Sequence, residues 1–229
     1  MSNEKLMKLI GRFDEIDSLL YKDSGGAMYY FQAINLVNEI SAMRHNDEVD
    51  FTIAVPVLIN RLGFVVYRNE LDALRSSIEE AVRDERYTGF TMDTIIENLT
   101  PDRLPEAKQL SEVLIILAVQ GFDITPVFPK ILELMEDRRT ISFSLDVLEK
   151  IGKEFISEDH VKLLREKMKE ILRNEKNERR KLKLKIEFAR LYDVYVQKLD
   201  KLSGTKDVKT LKLPPKDRGR FRIRRARCT

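Results

Sequence analysis

Two octapeptides set 73 residues apart limit the folds open to this chain. Val55, Leu58, Ile59 and Leu62 fall on Phe128, Ile131, Leu132 and Met135, with Pro56 matched by Pro129. At the same offset Leu74, Ile78 and Val82 fall on Val147, Ile151 and Phe155, a second stripe at helical spacing. Half the offset leads to Leu110, Leu114 and Ala118, and a looser member runs from Ile34 to Ile40. The pattern predicts helix pairs whose second helices start near 27, 67, 104, 140 and 178, a repeat of about 36 to 40 residues. Each such pair exposes an apolar face that only a stacked neighbour can cover.

Apolar residues recur three or four apart through nearly everything before residue 200, without sustained alternation of the strand type, so the expected class is all-α. Leu6, Leu9, Ile10, Phe13, Ile16 and Leu20 form one face, and Ile34, Val37 and Ile40 another. Pro, Gly and small caps mark the remaining boundaries: Thr91, Pro101, Pro105, Thr125-Pro126, Thr140 and Ser157. The expected core comprises Leu58, Leu62, Leu74, Ile78, Leu114, Leu117, Ile131, Leu134, Leu148 and Ile151. Pro56 and Pro129 should bend their helices unless they sit in the first turn. The apolar share, 43%, excludes wholesale disorder. The sole cysteine, Cys228, excludes an intrachain disulfide. The N-terminal residues do not resemble a secretory signal, and the apolar run Val113 to Val119 is too short to span a bilayer. A cytoplasmic protein without a membrane segment is expected.

The unit Pro129-Lys-Ile-Leu-Glu-Leu-Met-Glu-Asp-Arg-Arg139, followed by Ile141 to Phe155, resembles a HEAT repeat. It carries the first-helix proline, the Asp-bearing basic turn and, in Val147, Leu148, Ile151 and Gly152, the second-helix pattern of that family. The unit at 51–83 keeps Pro56 but has Gly63-Phe-Val-Val where the Asp turn should be; the units at 6–42 and 91–120 lack the proline. The resemblance implies an α-α superhelix, a HEAT-like solenoid of about four to five helix pairs. It implies HEAT-like repeats over 1–157, capping helices over 158–203, and a structural ladder at Asp137-Arg-Arg139.

Net charge is +3, but residues 201–229 hold eleven Lys/Arg against two Asp, whereas 1–200 hold 30 basic and 36 acidic groups. An acidic body thus carries a basic extended tail over 204–229. Between Ser157 and Asp200 two helices are expected, turning at Asn174 to Asn177. The first should bury Val161, Leu164, Met168 and Ile171, and the second Leu182, Ile186, Ala189, Val196 and Leu199. Arg179, Arg180, Lys181, Lys183 and Lys185 then point mostly away from the apolar seam, either as a solvated face or as a nucleic-acid or phosphate contact. In the tail, Arg218, Arg220, Arg222, Arg224, Arg225 and Arg227 interleave with Phe221 and Ile223. This segment could follow a phosphate backbone with Phe221 stacked on a base, add to a partner's sheet edge, or anchor in a groove. It could also be a solubilising extension or fold back on the acidic body.

Catalytic patterns are scarce. His45 and His160 are the two histidines, and neither sits in a nucleophilic arrangement; no glycine-rich phosphate loop occurs. His160 reads as a surface residue and His45 as part of an inter-repeat loop. Asn98-Leu-Thr100 fits the glycosylation triplet but lacks the secretory context. Tyr29-Tyr-Phe31 reads as core and repeat interface. DNA glycosylases with a HEAT-like fold rely on tryptophans, and this chain has none. No cofactor or metal site is expected. The leading expectation is a non-enzymatic scaffold or adaptor that binds a protein partner on its helical surface and nucleic acid or an acidic partner through its basic C-terminal segment. A dedicated DNA- or RNA-binding protein using 176–185 and the tail is the alternative, with a HEAT-like glycosylase behind it.

Overall fold

The computed structural model describes residues 2–18, 25–65 and 67–203, without the side chains of 25–27 and 200–203. Leu20 and the tail residues from Arg218 to Arg227 lie outside the described residues. Those described form ten α-helices and no strand. They are α1 (Ser2–Asp17), α2 (Gly25–Ala42), α3 (Val55–Arg61), α4 (Arg68–Arg83), α5 (Thr88–Asn98), α6 (Leu104–Val119), α7 (Phe128–Leu134), α8 (Ile141–Lys150), α9 (Glu158–Asn174) and α10 (Glu178–Ser203). The even-numbered helices begin within a few residues of the positions that the repeat predicts.

Each odd-numbered helix packs on the even one after it, and the even helices also meet in succession: α2 on α4, α4 on α6, α6 on α8 and α8 on α10. Among the odd helices, α3 packs on α5. The core runs continuously from Leu6 to Tyr195, and all ten residues expected in it are buried. Pro56 and Pro129 occupy the first turns of α3 and α7, where their missing N–H groups need no helical partner, so neither helix is broken. α6 ends in a Schellman motif. Gly121 adopts φ 82°, the Phe122 N–H donates to the Leu117 carbonyl at 2.9 Å and the Gly121 N–H to that of Ala118 at 3.0 Å.

The structure corrects the sequence reading in several places. α10 buries Leu184, Phe188, Leu191 and Tyr195, not Leu182 and Ile186, which are 61% and 66% exposed; Ala189, Val196 and Leu199 are half-buried. Leu184 and Phe188 share a face about 200 to 240° around the helix from Leu182, and of the three aromatic side chains of α10 Phe188 and Tyr195 go to the core while Tyr192 is half-buried. α8 stops at Lys150, so Ile151 is buried beyond its end and Phe155 lies in a separate 3-10 turn, Lys153–Phe155. The chain leaves the helix there because Ile151 and Gly152 take extended ψ angles of 128° and 142°. The freed carbonyls find donors on α10: Tyr195 Oη donates to Leu148 O at 3.0 Å, and Lys198 Nζ to Glu149 O at 2.7 Å and Ile151 O at 2.6 Å. Thr91 lies inside α5 rather than at its start. It is Thr88 that begins the helix, its hydroxyl donating to Val82 O and Asp84 O at 2.7 and 2.9 Å.

The turn at Asn174 to Asn177 falls where expected, and Ser157 caps α9. His160 differs from its reading as a surface residue. Its backbone N–H donates to Ser157 Oγ at 3.3 Å, its Nδ1 accepts from the Ser157 N–H at 3.2 Å, and its ring centroid lies 4.6 Å from that of Phe128. The capping box therefore works through an imidazole where a Glu or Gln is usual. Phe31 also departs from expectation. Tyr29 is buried, but Phe31 is 65% exposed and packs edge-on against the half-buried Tyr30.

Candidate functional site

The basic cluster lies on the first two turns of α10. Asn177 opens the helix, its Oδ1 accepting from the Arg180 N–H at 3.0 Å. Helical spacing then divides the five cations. Arg180 and Lys181 are half-buried; Arg180 pairs with Glu175 at 3.2 Å and Lys181 approaches Glu178 at 3.9 Å. Arg179, Lys183 and Lys185 are exposed. Lys183 lies 3.6 Å from Glu187, while Arg179 and Lys185 make no ion pair with a described residue. These three alternate with Leu182 and Ile186, so one surface of α10 is both cationic and apolar. Sequence reading missed this apolar component because the repeat supplies no register for α10: its apolar residues fit two phases, and only packing against α8 and α9 selects between them.

A second set of polar groups follows the turns within successive helix pairs. Arg61 donates through Nε to Glu70 Oε1 at 2.8 Å, and through Nη1 and Nη2 to Asp17 at 3.1 and 2.8 Å. Its Nη2 also reaches Tyr29 Oη at 3.0 Å, and Tyr29 Oη donates to Glu70 Oε2 at 2.9 Å. Arg61 and Glu70 are both buried, and the guanidinium stacks 4.1 Å over the Phe13 ring. Burial works against the Arg61 charge, but the Asp17 hydrogen bonds and the Glu70 charge outweigh it and raise its pKa. Burial, together with the nearby Glu70, raises that of Tyr29 although Arg61 opposes the shift. Arg103 continues the series, donating to Asn60 Oδ1 at 2.6 Å and Glu106 Oε1 at 3.1 Å and also to Asn98. Asn98 is buried and donates to Thr94 O at 2.8 Å, which makes it a helix-end residue inaccessible to a glycan. Arg138 reaches Glu175 at 3.4 Å.

The Asp137-Arg-Arg139 turn has a counterpart that the sequence comparison did not align. Asp137 accepts from the Arg139 N–H at 2.7 Å and from its guanidinium at 3.1 and 3.0 Å. Asp84 accepts from the Arg86 N–H at 3.2 Å and from its guanidinium at 3.0 and 2.8 Å. The Arg86 side chain holds the Asp84 pKa down at about 2, and Arg139 likewise lowers that of Asp137. The visible signal is the shared Asp-x-Arg spacing, 53 residues apart.

Two clefts border α10. One, of about 290 Å³, lies among Glu136, Arg138, Glu170, Ile171, Asn174, Glu175 and Arg180. The other, of about 180 Å³, runs between α8 and α10 beside Asp146, Glu149, Arg190 and Leu191. Neither has an aromatic side chain in its wall. Their mixed charges are largely paired within the protein, as Arg190 is with Glu149 at 3.3 Å. Among the described residues no three His, Cys, Asp or Glu side chains group as metal ligands, and no helix is long and apolar enough to cross a membrane. His45 lies in the 3-10 turn Met43–His45 between α2 and α3. No protein-family model, curated protein or solved structure matches the chain.

Proposed function

We propose that this protein is a non-enzymatic scaffold of HEAT type, in which five helix pairs stack as an α-solenoid and the basic C-terminal segment engages a polyanionic partner. Successive contacts among the even helices support the stacked reading, since in a solenoid each repeat meets its neighbours. One observation carries the partner reading: the last even helix exposes Arg179 and Lys185 without an ion pair to a described residue, and Lys183 beside them. Cations on a solvated face commonly pair along their own helix, as Arg68, Arg75 and Arg83 do on α4 and Lys181 and Lys183 do on α10, which leaves Arg179 and Lys185 for a partner. Arg218, Arg220, Phe221, Arg222, Ile223, Arg224, Arg225 and Arg227, outside the described residues, are the tail's candidate contacts to that partner.

Salt titration of binding to poly-glutamate, a DNA duplex and single-stranded RNA tests the reading. Variants are the triple charge reversal Arg179→Glu, Lys183→Glu, Lys185→Glu and a chain ending at residue 203. The triple variant should bind its preferred polyanion at least about tenfold more weakly at 0.15 M salt, and the salt dependence should flatten. Equal affinities for all three chains would refute the assignment.

A further inference from the structure

We propose that the outward face of α10 docks an acidic amphipathic helix of a partner protein, which occupies the flank where the row of even helices stops. The proposal rests on the stacked-pair reading above and names the partner of the same basic surface. α4, α6 and α8 each pack against an even helix on both sides, whereas α10, which also packs on α9, meets one even neighbour, α8, among the principal contacts of the described residues. Terminal repeats ordinarily present a polar outer face. α10 instead exposes Leu182 and Ile186, with half-buried Ala189 completing an i, i+4, i+7 line, and exposed Asp193 ends it one turn later. That spacing is what an apolar helix seam requires.

Charge selects the occupant. Arg179, Lys183 and Lys185 flank the line along its sides, with Glu178 before it and Asp193 after it, so two copies meeting side by side in parallel through this face would set cations against cations. Residues 201–229 of the same chain, with eleven Lys/Arg and two Asp, meet the same repulsion. A phosphate backbone would satisfy the cations but leave Leu182 and Ile186 against charged oxygens. A lipid surface would need a broader apolar face than this line, which Asp193 closes. A helix with Leu or Ile along one stripe and Asp or Glu beside it matches both components.

The probe is a labelled 18-residue peptide with Leu at i, i+4, i+7 and i+11 and Glu flanking the stripe. It is compared with a scrambled peptide, one with Lys replacing Glu, a DNA duplex, and phosphatidylserine vesicles. The full chain should bind the acidic peptide at least tenfold tighter than the scrambled or basic ones. Leu182→Ser with Ile186→Ser should weaken that binding at least tenfold with only a small drop in the thermal midpoint, because both side chains are more than half exposed. Arg179→Glu with Lys185→Glu should weaken it similarly. Helix docking is overturned if the acidic peptide binds no better than its scramble or ignores the serine pair. It is also overturned if DNA or vesicles, and not the peptide, depend on Leu182 and Ile186, or if light scattering finds a dimer that the serine pair dissolves. Should peptide binding fail while polyanion binding still depends on Arg179 and Lys185, helix docking falls and the basic-segment reading stands. Insensitivity to the charge reversals removes both.

Discussion

Arg61 ties four helices together through one guanidinium, meeting Asp17 of α1, Tyr29 of α2 and Glu70 of α4 from its own place on α3. A buried ion pair offsets its desolvation cost when every member is hydrogen-bonded, but losing one member strands the others. Arg61→Met should therefore cost about 3 to 5 kcal/mol by leaving Glu70 buried with Tyr29 as its remaining partner. Urea unfolding monitored by circular dichroism measures this, and a loss below about 1 kcal/mol would show that Glu70 is not effectively desolvated. The sequence carried a hint of this network. In the 73-residue alignment Arg61 falls on Leu134, and both positions are buried, so a charge stands where the repeat calls for a core residue. Its partners were not legible, because Asp17 and Tyr29 lie 44 and 32 residues away and no local pattern links them.

At the scale of helices, periodicity located starts better than stops. Starts are local: Pro105 lies in the first turn of α6, and Ser157 and Asn177 accept from backbone N–H groups at the beginnings of α9 and α10. The end of α8 is set from outside, by Tyr195 and Lys198 of α10 reaching its last carbonyls. Tyr195→Phe should cost about 1 to 2 kcal/mol, since it removes a buried donor from Leu148 O while keeping the ring. Lys198→Met should cost a comparable amount, reduced because burial already lowers the Lys198 pKa and so disfavours its charge. Chemical denaturation of both variants checks this; unchanged midpoints would mean that Gly152 and its neighbours end α8 unaided. The phase of α10 was misread for the related reason that Leu182 and Ile186 are as apolar as Leu184 and Leu191. Helical spacing alone admits either stripe, and the buried one, which carries Phe188 and Tyr195, is fixed by the packing of α10 on α8 and α9.

Across the molecule, carboxylates with lowered pKa values recur at the turns: Asp84 after α4, Asp137 after α7 and Glu175 after α9. Each binds protons less readily folded than unfolded, so acidification favours the unfolded chain. For Asp84 the contribution is complete above its ordinary value of 3.8 and is lost as pH falls through about 2. Denaturant midpoints should decline over that window, and Asp84→Asn should make the decline shallower; a midpoint independent of pH below 4 would contradict the pairing. The sequence by itself determined the all-helical class, the starts of the even helices, the buried identity of the repeat positions and the concentration of positive charge toward the C-terminus. Those properties follow from residue spacing and composition, which act along the chain. Tertiary structure alone decided which stripe of α10 faces inward, where α8 ends, and which acids Arg61 and Arg138 meet. These depend on the volume and hydrogen-bonding groups that distant helices present, and spacing along one helix carries no information about them.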